Sequence, residues 1–116
     1  MGYNKTMKKP LEVLKQAAEL INKKGSDYQN PNSRVKQADY YPRGCFTILD
    51  IMHGKMLRMQ SLLETMEKDP NTSPNYESLE DSAIDLINYA AFFASYITGG
   101  IDGQDPNKDI LNRDKE

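Results

Sequence analysis

Three stretches of the chain carry apolar residues at helical spacing, and the segments between them do not. In residues 11–24, Leu11, Leu14, Ala18 and Ile21 recur three and four apart, with Val13, Ala17 and Leu20 widening the face. This pattern predicts an amphipathic helix. Pro10 suits its first turn, Lys23 and Lys24 complement its C-terminal dipole, and Gly25 reads as its cap. A second helix is predicted over 46–68, with Ile48, Ile51, Met52, Met56, Met59, Leu62, Leu63 and Met66 on one side. Asp50, His53 and Gly54 fall opposite, Lys55 lies inside the apolar arc, and Arg58 sits at its edge. Asp69-Pro70 stops the helix. The third helix is expected over 78–98, with Ser78 as candidate N-cap and Asp81 three residues on, an approximate capping box. After Ser82 it is apolar on nearly every side, the mark of a helix buried centrally or between subunits. Gly99 and Gly100 end it.

The chain therefore reads as all-α, a small bundle of three main helices with a long connection between the first two. Residues 1–9 form a flexible lead, 10–100 the helical domain, and 101–116 a polar tail in which Ile110 and Leu111 could dock. Three helices in 116 residues make a thin core, so completion of the bundle by oligomerisation is expected. The connection over 25–44 exceeds the length usual inside a compact domain. It carries Tyr28, Tyr40 and Tyr41 with Arg34, Lys36 and Arg43, unlike a passive linker, which is poor in aromatics.

Charge and composition narrow the field. Fifteen Lys and Arg stand against 17 Asp and Glu, which argues against a general nucleic-acid binder but not against a small anionic ligand. The one cysteine, Cys45, forms no internal disulfide and points to a reducing cytoplasm and a buried structural role. No apolar run approaches a membrane span, and the polar, basic start does not read as a signal peptide.

The candidate chemistry lies on the third helix. Asp81, Asp85 and Asn88 are spaced i, i+4 and i+7 and share one stripe. Two carboxylates on neighbouring turns repel unless a cation sits with them or one is protonated. Three partners fit: Lys55 or Arg58, a helix N-terminus for Asp81 alone, or a metal ion, with magnesium suited to Asp and Asn oxygens. A purely structural alternative stands beside these, in which Asp81 caps its helix and Asp85 pairs with Lys55 to fix register. His53, the single histidine, has Asp50 three residues earlier to orient its ring. The methionines of the second helix read as core or interface. The tyrosines and basic residues of the long connection could stack a base and hold phosphates, or simply pack over the bundle. There is no phosphate-binding glycine loop, dinucleotide fingerprint or zinc spacing.

Taken in order, Asp27-Tyr28 and Asn30-Pro31, then ILDIMHGKMLRMQSLLE with Lys55 and Arg58 at i, i+3, then ESLEDSAIDLINYAAF, the chain resembles the MazG-like all-α nucleoside triphosphate pyrophosphohydrolases. The likeness is to the phage and bacterial group described as nucleotide-modification-associated. It covers roughly residues 10–98. It implies cleavage of a nucleoside triphosphate between its α and β phosphates, giving the monophosphate and pyrophosphate in a host or bacterial cytoplasm. Acidic residues of two adjacent helices hold magnesium in that family, as Glu-x-x-Glu and Glu-x-x-Asp. The second motif aligns with Asp85-x-x-Asn88 or with Asp81 and Asp85, whereas the first has no counterpart beyond the spacing of Asp50 and His53. Carried over, Asp81, Asp85 and Asn88 would hold magnesium, with Asp81, Asp85 and Lys55 catalytic. Lys55 and Arg58 would stabilise the phosphates, and Tyr28, Arg34, Tyr40, Tyr41, Asn88 and His53 would complete the nucleotide site.

Three function classes follow. The first is a magnesium-dependent pyrophosphohydrolase; the second a non-catalytic nucleotide-binding or counter-defence protein. The third is a helical module that binds itself or a host protein. A homo-oligomer is expected in each.

Overall fold

The computed structural model describes residues 7–28, 30–71 and 74–107, with backbone only at 26–28, 74 and 75. It is an all-α bundle of three helices, α1 (Pro10–Tyr28), α2 (Cys45–Lys68) and α3 (Pro74–Ile97), with a short 3-10 turn at Gln37–Tyr40 inside the α1–α2 connection. No strand occurs among the described residues, and none of their helices is long and apolar enough to cross a membrane.

The helix α3 is the centre. It packs along α2 for most of its length and against α1 over a shorter stretch, while α1 and α2 hardly meet. That placement follows from its sequence, since only a helix apolar around most of its circumference can bury two sides at once.

On α1, Ala17 is buried, and Val13, Leu20 and Ile21 are half-buried. Of the stripe that periodicity picked out first, Leu11, Leu14 and Ala18 are exposed and only Ile21 is half-buried. The apolar arc of α1 is wider than one contact, and spacing alone does not say which edge docks. On α2, the inner stripe runs through Ile48, Ile51, Met52, Lys55, Met59, Leu62 and Met66. Met56 and Leu63, expected on that side, are 57% and 54% exposed.

Two helix boundaries differ by four residues from the expected ones. α1 continues through Gly25 to Tyr28, because a glycine that supplies no left-handed turn does not stop a helix. α3 begins four residues before Ser78, at a proline, whose fixed φ suits a first helical position. Ser78 therefore lies inside the helix and caps nothing. At the start of α2, Gly44 has φ 59°, and the backbone N–H of Arg43 donates to Thr47 Oγ1 at 2.8 Å.

The segment after α3 also departs from a loose tail. Ile101 is 6% exposed and joins Tyr41, Cys45, Ile48 and Tyr96 in the core. Gln104 holds the bend, accepting from the Ile101 N–H at 2.7 Å and donating to the Tyr96 carbonyl at 3.1 Å. The Ala38 N–H donates to the Asp102 carbonyl at 3.0 Å, which ties the 3-10 turn to this segment. Ile110 and Leu111 lie outside the described residues. At the other end, Lys8 Nζ reaches Glu80 Oε2 at 2.9 Å and Gln16 Oε1 at 3.0 Å, so the lead is fastened to α1 and α3 by its eighth residue.

Candidate functional site

Because α3 is central, its polar stripe runs along a gradient from solvent to core. Asp81 is exposed, Asp85 is half-buried and Asn88 is 7% exposed. Residues i, i+4 and i+7 share a side, yet the neighbouring helices cover that side unequally. The stripe therefore splits into an outer carboxylate, a middle carboxylate held by a cation, and an inner amide.

The cation is Lys55. Its Nζ lies 3.2 Å from Asp85 Oδ2, with the two side chains 30% and 32% exposed. Lys55 occupies an inner position of α2, where an unpaired ammonium would be costly, and Asp85 supplies the opposite charge across the α2–α3 seam. Partial screening keeps such a pair within about 1 kcal/mol of net stability, so its position matters more than its strength. Arg58, one turn further along α2, is exposed at the edge of the seam.

Beyond Asp85, the seam between α1 and α3 encloses a cavity of about 90 Å³. Leu20, Ile21, Tyr89 and Phe92 supply most of its walls, with Asp85, Asn88, Gln37, Lys24 and Gly25 at its polar and open sides. Tyr89 and Phe92 meet edge to face, 5.6 Å between ring centres. Asn88 Oδ1 is buried without a hydrogen-bond partner among the described residues. Such an oxygen forfeits about 1–3 kcal/mol until a donor reaches it. Buried acceptors in this state are rare in folded proteins.

The remaining expected residues are spread over the molecule. Tyr41 is 3% exposed, its hydroxyl accepts from Gln37 Nε2 at 3.2 Å, and its ring packs in the core cluster. Tyr40 is 55% exposed, and Arg34 is exposed on the connection before the 3-10 turn. The side chain of Tyr28 lies outside the described residues. His53 is exposed and borders a shallow apolar groove with Leu57, Gln60 and Leu79. Asp50 faces Arg43 at 3.8 Å, both well exposed, and Arg43 lies 5.2 Å from the Phe46 ring centre. The structure thus joins Asp85 to Lys55 on one side and to Asn88 and the cavity on the other, with Asp81 and Arg58 on adjoining turns, whereas His53, Arg34, Tyr40 and Tyr41 do not line that cavity.

Sequence reasoning missed Gln37, Lys24, Leu20, Ile21, Tyr89 and Phe92 as cavity residues. Only Gly25 carried a signal, as a helix-disfavoured residue inside what proves to be a helix. For a metal ion, no group of three or more His, Cys, Asp or Glu side chains converges among the described residues. What the surface offers is Asp81 and Asp85, hard carboxylate oxygens one turn apart. That donor set suits magnesium, which takes one or two carboxylates and fills its shell with water and substrate phosphates. Asn88 is buried beside the cavity, whereas Asp81 is exposed. In comparisons with protein-family models, curated proteins and solved structures, the chain matches none.

Proposed function

We propose that this chain binds a nucleoside triphosphate along the α2–α3 seam and hydrolyses it between the α and β phosphates, as the resemblance to MazG-like pyrophosphohydrolases implies. One observation carries the reading: Asp85 both pairs with Lys55 at 3.2 Å and lines a cavity in which Asn88 Oδ1 lacks a partner. A carboxylate that meets a cation on one side and an unsatisfied amide in a cavity on the other suits a ligand that is charged at one end and polar at the other.

In this reading Lys55 exchanges its partner Asp85 for phosphate oxygens, and Arg58 reaches the same phosphates from the seam edge. Asp81 and Asp85 would hold magnesium, which when bound neutralises polyphosphate charge and lowers the pKa of a coordinated water. The chain's own part is to place the phosphates between α2 and α3 and to exclude water from the inner end. Release of Asp85 from Lys55 makes its carboxylate available at the same time as the ligand's charge arrives.

The test is pyrophosphate release against a panel of nucleoside triphosphates with and without magnesium. Turnover that requires magnesium and is lost in Asp85→Ala, with the helical circular dichroism signal unchanged, is the expected result. Nucleotide-dependent thermal stabilisation without turnover would reduce the function to binding. Absence of both turnover and stabilisation would overturn the nucleotide reading.

The second reading, a helical self-association or host-protein module, draws on a separate observation. Leu11, Leu14, Leu49, Met56, Leu57 and Leu63 are each more than half exposed, a larger apolar display than a lone soluble domain usually carries. In that case Asp85→Asn leaves function intact and loss of the apolar faces abolishes it.

A further inference from the structure

The cavity between α1 and α3 limits what can enter it. Its volume is about 90 Å³, whereas an apolar cavity of about 150 Å³ takes benzene. The space is thus smaller than a single ring requires until Lys24 and Gln37 at its edge swing outward, and two fused rings would need a larger opening still. The walls favour a flat ring, since Leu20, Ile21 and the Tyr89–Phe92 pair present apolar and aromatic surface. The one buried side-chain polar atom that lacks a partner among the described residues belongs to the Asn88 amide, so the ring should bring a polar edge that pairs with an amide.

Gly25 adds an independent indication. It lies within α1 and lines the cavity, and no atom sits within 4 Å of a Cβ placed there. Packing does not demand glycine, although glycine inside a helix costs about 0.5–1 kcal/mol relative to alanine. Keeping that wall bare keeps the cavity open.

We infer that this cavity is the base subsite and that it takes a pyrimidine; the inference rests on the nucleotide reading above. Asn88 Oδ1 accepts from the ring N–H of uracil or thymine, or from the exocyclic amine of cytosine. Asp85, which lines the cavity and pairs with Lys55 across the α2–α3 seam, directs the sugar and phosphates outward to that seam. The base is enclosed by α1 and α3 and not by the tyrosines of the long connection.

Titration calorimetry of the whole chain with nucleoside monophosphates tests this without turnover. Pyrimidine monophosphates should bind about tenfold or more tightly than purine ones, the size of one buried hydrogen bond and an excluded ring. Asn88→Leu, near in volume but lacking the acceptor, should erase most of that preference, and Gly25→Leu, which fills the cavity, should abolish pyrimidine binding. Circular dichroism checks the fold of both variants. Equal binding of purines and pyrimidines would overturn the pyrimidine subsite and leave the nucleotide reading standing, as would wild-type pyrimidine affinity in Gly25→Leu. If the unaltered chain binds no nucleoside monophosphate, the base subsite falls, a resident water accounts for Asn88, and the triphosphate assay above decides the nucleotide reading separately.

Discussion

At the scale of single residues, two positions show how local chemistry and packing are coupled. Gly44 adopts φ 59° at the start of α2, and a Cβ there would lie 2.9 Å from the Tyr96 hydroxyl. Both the backbone conformation and the space require glycine. Gly44→Ala should therefore lose about 1–3 kcal/mol, read as a lower urea midpoint with an unchanged slope. Lys55 and Asp85 form the second case. Each is about a third exposed, so a double-mutant cycle with Lys55→Met and Asp85→Asn should return a coupling of about 1 kcal/mol or less. A coupling several times larger would mean the pair is a structural lock and would weaken its assignment to a ligand. Lys55 was legible in the sequence as a cation on an apolar arc, and Asp85 as its candidate partner. The orphaned oxygen of Asn88 was not, because an amide's satisfaction depends on what α1 and the 3-10 turn place opposite it, and no spacing encodes that.

At the scale of elements, existence was easier to read than ends. All three helices were visible in the periodicity, since each has enough apolar positions to define a face. Their limits were set by chemistry that periodicity does not carry: Gly25 stays helical, and α3 starts at Pro74. Ile101 was read as the start of a tail because polar residues follow it. In the fold its side chain fills the space between Tyr41 and Tyr96, with Gln104 holding the bend that returns it. Ile101→Ala should accordingly cost about 2–5 kcal/mol, measured by chemical denaturation, a large share of the stability of so thin a core. An exposed tail residue would show no such loss. Gly103, with φ 89°, belongs to the same device, for a Cβ there would collide with the Lys36 side chain.

At the scale of the whole molecule, the arrangement is extended. The radius of gyration is 17.0 Å and the longest dimension 57 Å, against a radius of about 13 Å for a compact chain of this length. With α1 and α2 on separate flanks of α3, their outer apolar residues lack a covering layer. A sedimentation profile above the monomer mass at micromolar concentration is the expected outcome. Glutamate in place of Leu57, 52% exposed, should shift it toward monomer without loss of helix. A single species of monomer mass for the unaltered chain would contradict this.

One consequence concerns time rather than shape. Lys8 clasps Glu80 and Gln16 at the N-terminal end of α1, whereas the opposite end of that helix has the cavity beneath it. That end of α1 is the wall of the candidate base subsite. It should open as a local unit well before the α2–α3 pair does. Amide hydrogen exchange in residues 20–25 should be faster than in the middle of α3, and slow by a clear margin when a ligand closes the gap.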